Sequence, residues 1–360
     1  FREDRSVIDD TKNVPASDDA VSFAVPQGQP DSRPRSRSNQ TVSRTVERYA
    51  LFIIWALVIV IFSVLKPKIY PTLSNTSTIL GSQSTLLFLA LGLMIPLTVA
   101  EYDLSVAYNL VFSSLVVARL NVQDHVNILL AVIVGLLVGT LIGVGNAVLV
   151  VVCGIDSFVA TLGTGTFIGG LALWISNSNV IGGISSSLTN PIVVDKLFSI
   201  PLEFYYGIAL AFVLWALYSL TPLGQRLLFV GRNRDVARLS GVRVGSVRFW
   251  SLVASGFFAG VAGVVSAGNS GAADPTSGLS LLLPAFAAVY LGATTITPGR
   301  FNPWGTVAAV YFLVSGITGL EIIGAGTYVQ DLFYGGALVV AVGLSIYAKR
   351  RIVRRKAALT

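Results

Sequence analysis

Residues 126–152 read VNILLAVIVGLLVGTLIGVGNAVLVVV, a run without one charged side chain. Roughly 17–25 helical residues cross the hydrocarbon core of a bilayer, so this stretch predicts a membrane span. The rest of the chain is of the same kind. Of 360 residues, 53% are hydrophobic and 12% are charged, whereas a soluble domain carries about 25% charged residues. A chain this long and this poor in charge cannot cover a water-facing surface. Lipid must be the solvent for much of it, and the 35 glycines suit closely packed membrane helices.

Working outward from that run, apolar segments alternate with short polar links. The expected spans are Tyr49–Leu65, Ile79–Ala100, Leu104–Ala118, Val126–Val152, Phe158–Ser176, Phe204–Leu220, Val247–Ala267, Leu281–Ile296, Pro303–Leu320 and Tyr328–Ala348. The expected fold is therefore an all-α integral membrane protein of about ten transmembrane helices. Leu104–Ala118 and Leu281–Ile296 are short, and Pro96 and Pro284 sit in or beside them. Such pairs point to discontinuous helices around a transport site, with tilt or local thinning as the plainer alternative. Residues 1–48 are polar and rich in Pro, Ser, Asp and Arg, and are expected to form an unordered cytoplasmic tail. The span-bearing region is then 49–348, followed by a basic tail over 349–360. No small-residue cleavage site follows the first apolar run, so a cleaved leader is not expected.

Charge orients the chain. Twenty of the 25 Lys and Arg fall in residues 1–48, in Arg226–Arg248 and in Lys349–Lys356. Positive links stay in the cytoplasm, so all three belong there. The segments place six crossings between the first two clusters and four between the last two, both even as required. A multi-pass protein of the cytoplasmic (inner) membrane with both termini inside is expected. Nucleic acid is not expected as a partner, because the basic clusters flank apolar runs.

Chemistry-bearing residues are few. Cys153 is the only cysteine and is read as a small buried apolar side chain. His125 is the only histidine, which leaves little room for a His-based metal cluster or triad. No G-x-x-x-x-G-K-[ST] loop is present, so this chain is not expected to hydrolyse ATP by itself. Ionisable groups are scarce inside the segments, which argues against a proton relay. Gly135, Gly139 and Gly143 recur every fourth residue, as do Gly256 and Gly260, and predict close helix packing within the chain. Asn146 lies inside a span and must find polar partners. Glu101 and Asp103 share one link, where both could be solvated in a turn. A structural or gating role is favoured for Asp103, through capping of the short helix near Leu104. The long link Asn177–Glu203 is read as a solvated outer loop able to touch a docking partner, and Asp274-Pro275 as an outer turn.

The cytoplasmic stretch 221–248, TPLGQRLLFVGRNRDVARLSGVRVGSVR, is the most informative polar one. Glycines cut it into pieces, and Asn233–Ser240 predicts about two helical turns, with Val236 and Leu239 on one side. A short amphipathic helix between spans suits docking on a cytosolic partner.

This stretch resembles the coupling region of the ribose, xylose and arabinose group of ABC transporter permeases, where TPLGRR leads to G-x-N-x-x-A-A-x-x-S-G-I. Here the matching residues are Thr221-Pro222-Leu223-Gly224, Gly231-Arg232-Asn233, Ala237 and Ser240-Gly241-Val242. Asp103-Leu104-Ser105-Val106 is similar to the D-L-S-V-G-S block, and Phe158-Val159-Ala160-Thr161-Leu162-Gly163 to F-I-A-T-L-G. Ala285–Gly292 with Pro298-Gly299-Arg300 is similar to A-I-A-A-V-V-L-G-G with its later G-G-R-G. Four blocks occur in order over roughly residues 50–350. Ala107, Tyr108 and Ala293 depart from the pattern and bear on which solute is carried.

The resemblance implies a permease subunit of the large (type II-like) importer architecture, carrying a monosaccharide or sugar alcohol, with a branched-chain amino acid or a proton-coupled mechanism as alternatives. It is a transport subunit rather than an enzyme. Implied partners are a second permease copy or paralogue, two cytosolic ATPase subunits that hold the ATP, an extracytoplasmic solute-binding protein and the bilayer; no cofactor of its own is implied. Arg232, Asn233, Arg234, Asp235, Ala237, Arg238, Leu239, Ser240 and Gly241 would couple to the ATPase. Asp103, Ser105, Asn146, Phe158, Thr161, Gly299 and Arg300 would line or gate the pathway.

Overall fold

The computed structural model describes residues 37–326 and 328–357, with side-chain surroundings over 49–326 and 328–343. The described chain from Val42 onward forms one compact unit and is mostly helical. In order, the first helices are α1 (Arg37–Leu65), α2 (Leu73–Ser82), α3 (Ser84–Thr98), α4 (Val106–Ala118), α5 (Ile128–Ala147) and α6 (Ser157–Ser176). A two-residue strand β1 (Ile181–Gly182), the turn α7 (Ser186–Thr189) and strands β2 (Lys196–Leu197) and β3 (Ile200–Pro201) fill the long link to α8 (Leu202–Leu220). Then come α9 (Pro222–Arg232), α10 (Arg234–Leu239), α11 (Val244–Ser270), β4 (Ala272–Ala273), α12 (Leu282–Gly292), α13 (Pro303–Ile322) and α14 (Tyr328–Ala357).

Local chemistry sets many of these boundaries. Asn127, Asp156, Thr221, Asn233 and Asn302 each stand before a helix and accept hydrogen bonds from its first amides, which satisfies groups that lipid cannot. α6 ends at Asn177 in the left-handed conformation, φ 50°. α5 runs on through a π-helical turn to Val152, giving 25 continuous residues. α2 and α3 bend by 40° at Gln83.

Five described helices are long and apolar enough to cross a membrane, or six if the bent α2–α3 pair is one span. The expected ten crossings are thus not established by length and composition. The expected segments all carry helix, but residues 49–65, 277–292 and 328–343 form shorter apolar helices. α4 is shorter still, with 13 residues. α1 begins at Arg37 and so reaches into the stretch expected to be an unordered tail; the rest of that expectation, residues 1–36, lies outside the described residues. α14 likewise continues through the basic stretch 349–357.

The links collect at two faces. On one, Gly231 of α9 abuts the Thr98 carbonyl at the end of α3, and the Tyr102 amide donates to Ser157 at the start of α6 (3.1 Å). On the other, Ser185 N donates to Asn121 (2.9 Å), β1 pairs with β4, and Asn269 donates to both oxygens of Glu203 (2.7 and 2.8 Å). The long link is therefore folded onto the body rather than simply solvated, and Glu203 is buried. Cys153 differs from expectation too: it follows the π-turn of α5 in a link and is exposed.

The core rests on the glycine rows. A Cβ on Gly143 would lie 2.8 Å from the Leu252 carbonyl and 3.0 Å from Gly256 Cα. One on Gly139 would lie 2.8 Å from Gly260 Cα. α5 and α11 thus touch backbone to backbone. Asn109 of α4 locks the crossing by donating to the carbonyls of Gly139 (3.0 Å) and Gly256 (3.2 Å), one on each helix. Gly143→Leu should lower the detergent melting temperature through an overpacking cost of about 1–3 kcal/mol or more. Gly145→Leu on the same helix, where a Cβ meets nothing within 4 Å, should melt like the parent protein. Equal melting of the two variants would show that the crossing is not the packing centre.

Candidate functional site

The links at the α10 face hold two polar clusters. The first is an ion cluster under α10. Glu101 follows α3 and is 2% exposed. Its Oε1 accepts from Arg234 of α10 (2.6 Å) and from Arg248 of α11 (2.5 Å). Arg234 also donates to the carbonyls of Val99 (3.1 Å) and Ala100 (3.0 Å). Three elements meet on one carboxylate, so Glu101 is a buried anchor and not the solvated turn residue that its position suggested. Arg234, expected among the residues that couple to the ATPase, is thus turned toward Glu101, with its side chain 38% exposed.

The motif residues between Gly231 and Gly241 acquire structural reasons. Gly231 is required because α9 meets the end of α3 with no room for a side chain. Asn233 caps α10, its Oδ1 accepting from the amides of Asp235 (2.9 Å) and Val236 (3.1 Å). Ala237 is buried beneath the helix, and Gly241 leaves it at φ 82°, a conformation that glycine adopts without strain. Ser240 is the C-cap. What remains outside is Val236, Leu239 (88% exposed), Arg232, Asp235 and Arg238.

The second cluster is a polar network two residues further on. Asp103 is 0% exposed, and its Oδ1 accepts from the amide (3.1 Å) and hydroxyl (2.6 Å) of Ser105. Those bonds form a turn leading into α4; they do not cap its first amides, as expected of Asp103. Asn146 of α5 donates to the Ser105 hydroxyl (2.7 Å) and accepts from Thr164 of α6 (2.6 Å). Thr161 accepts from the Leu104 amide (3.0 Å) and donates to the Ser157 carbonyl (2.7 Å). Asp103 Oδ2 and the Ser255 hydroxyl of α11 are neighbours, each buried and outside good hydrogen-bond geometry. Burial pushes the Asp103 carboxyl above the ordinary carboxylate range, against the opposing hydrogen bonds from Ser105.

Asp103, Ser105, Asn146 and Thr161 are thus brought together by α4, α5 and α6. Phe158, Gly299 and Arg300 are not with them. Phe158 is exposed at the start of α6. Gly299 turns the α12–α13 link at φ 84°, and Arg300 lines a cavity of about 390 Å³ with Arg226 and Arg232. Thr164, Ser255 and Arg248 join the clusters unanticipated. Isolated Ser, Thr and Asn in apolar helices are too common to single out, and Arg248 read only as part of a basic cluster. Tyr108, a departure from the family pattern, lies over Gly165 and Gly169 of α6: Cβ atoms there would come within 2.7 and 2.9 Å of its ring.

A family described as the branched-chain amino acid transport system / permease component matches residues 75–342. The chain belongs to this family. It is 32% identical over 298 residues to the D-allose transport system permease protein of Escherichia coli (strain K12), covering 83% of this chain and 91% of that one. It is 28% identical to the ribose import permease protein of Haemophilus influenzae, covering 81% and 90% of the two chains. It is also 28% identical to the L-arabinose ABC transporter permease protein of Azospirillum brasilense, covering 80% and 82%. No solved structure matches. The chain is a multi-pass membrane transport subunit and not an enzyme, and importers of this kind work with ATPase and binding-protein partners.

Glu101→Ala strands two arginines against a buried surface. Breaking a buried pair costs about 3–5 kcal/mol, less here because the Arg234 side chain is 38% exposed and screened. A fall in melting temperature larger than that of Arg232→Ala, an exposed arginine outside this cluster, is the expected result. Asp103→Asn, which keeps an acceptor for Ser105, should cost less than Asp103→Leu in the same melt. A greater loss in the Asn variant would mean that the Ser105 turn does not depend on an acceptor at position 103.

Proposed function

We propose that this chain forms, with a second permease copy or paralogue, the path by which a monosaccharide or sugar alcohol enters the cell, driven by ATP hydrolysis on two separate subunits. The relatives' names are those of sugar permeases for D-allose, ribose, L-arabinose and galactose, which favours a sugar over a branched-chain amino acid. A neutral, hydroxyl-rich solute also suits a buried network of Ser, Thr and Asn side chains. Ten helical segments passing between the two faces, with both termini at the α10 face in the cytoplasm, reconcile the short helices with the three basic clusters. Short α4 and α12 then enter the membrane as parts of discontinuous spans.

The observation that carries the reading is the attachment of α10. Its outer side offers Val236 and Leu239 to a partner, while Arg234 fixes its inner side to Glu101. An ATPase subunit that moves α10 would move the link 99–105 through that ion pair. The same link carries Asp103 and Ser105, whose bonds reach α5 and α6 through Asn146 and Thr164. Motion at the cytoplasmic face is thereby delivered to the helices that line the path, and a solute-binding protein delivers sugar to the opposite face.

Reconstituted with its ATPase subunits and binding protein, Leu239→Glu should abolish solute-stimulated ATP hydrolysis while leaving the permease folded in the membrane. The chain alone in proteoliposomes should take up no D-allose or D-ribose with or without a proton gradient. Uptake without ATPase subunits would sink the reading, and undiminished stimulation in Leu239→Glu would place the docking surface elsewhere.

A further inference from the structure

A cleft of about 860 Å³ opens between α8, α9 and α11 at the α10 face. Its walls are apolar, with Val213 and Leu217 on one side and Ala254 and Phe258 on the other. Val213 is exposed, so the cleft is open to the surroundings of the helices. At its rim stand Arg226 and Arg243, both exposed. Neither has a carboxylate within ion-pairing distance among the described residues. Arg226 also borders the neighbouring cavity with Arg232 and Arg300, which are unpaired in the same sense. No Asp or Glu lines either space. Trp250, exposed beside the rim, is of the type that settles at headgroup depth.

We propose that this cleft is a seat for one anionic phospholipid, its phosphate held by Arg226 and Arg243 and an acyl chain lying along Val213, Leu217, Ala254 and Phe258. Guanidinium groups hold phosphate by charge-assisted hydrogen bonds, and the apolar walls take hydrocarbon. A second copy of the chain fits the rim poorly. The described acidic residues at this face are Glu101 and Asp103, both buried, with Asp156 and Asp235 the exposed ones. The cleft is also lined by Ser240 and Gly241, so a bound lipid touches the loop that ends α10. The proposal needs only the membrane location and stands whichever solute is carried.

Native mass spectrometry on the delipidated chain, titrated with phosphatidylglycerol or with phosphatidylcholine, tests it. The parent protein should retain phosphatidylglycerol at least tenfold better than phosphatidylcholine. Arg226→Gln with Arg243→Gln should remove that preference. Val213→Trp, which fills the cleft and keeps both charges, should lower retention of phosphatidylglycerol at least tenfold. Glycerol phosphate, a headgroup without chains, should not compete at the concentrations where the lipid binds. Equal retention of the two lipids by the parent protein would overturn the proposal, as would unchanged retention in both variants. So would full competition by glycerol phosphate, which would make this a free-phosphate site, or loss of a bound second copy of the chain in Val213→Trp, which would make the cleft an interface between permeases.

Discussion

The backbone contact between α5 and α11 is what the rest of the structure depends on. In lipid, apolar side chains gain little by meeting one another, since the tails are as apolar as they are. Close approach of backbones does gain, through dispersion and through polar groups that reach across. Gly139, Gly143, Gly256 and Gly260 remove the side chains that would hold the two helices apart. The approach leaves the Gly139 and Gly256 carbonyls near enough for one amide to serve both, and Asn109 supplies it. Because Asn109 belongs to α4, the crossing also fixes the depth and rotation of that short helix. Ser105 immediately precedes α4, and its position against Asn146 follows from the same contact.

Charge is handled by a second constraint: each buried carboxylate needs a compensation of its own. Glu101 has two arginines and Glu203 has an asparagine amide donating to both oxygens. Asp103 has the Ser105 turn on one oxygen, and burial raises the proton affinity of the carboxyl. The compensations differ because the surroundings differ. Glu101 sits where two arginines can reach it while their outer ends stay partly in water, whereas Asp103 has the Ser105 amide and serine hydroxyls about it. These carboxylates form no chain through the protein. Glu101 and Asp103 lie at the α10 face, and Glu203 lies at the other.

Much of this was legible in the sequence because lipid imposes simple rules. Apolar runs marked where helices lie, and glycines at every fourth position marked the tight crossing. The α10 helix was bounded to within a residue by Asn233 and Ser240, since an N-cap residue and a following glycine are local signals. Illegible were the contacts that join distant links. Glu101 in a polar stretch looks solvated, and only the fold brings Arg234 and Arg248 to it from positions more than a hundred residues away. Span lengths misled in the other direction. The alternation of apolar and polar segments fixed where helices occur, but α4 and α12 are shorter than a bilayer requires, and hydropathy says nothing of how a short helix is completed.

The placement of Glu101 has a consequence for how force can pass through the chain. α9 and α10 are held to the end of α3 at two points, the Gly231–Thr98 backbone contact and the Arg234–Glu101 ion pair. Two points define a rigid arm, where one would define a hinge. Arg248 adds a third attachment from α11, the helix that also carries the glycine crossing. A push on the exposed side of α10 therefore cannot be absorbed by rotation of that helix alone, since rotation would pull Arg234 from a carboxylate that is buried and has no water to replace it. The stress must go into the link 99–105 or along α11, and both lead to the Asp103–Ser105–Asn146 network. A coupling helix joined to the body only by flexible glycines would lose that stress in its own links.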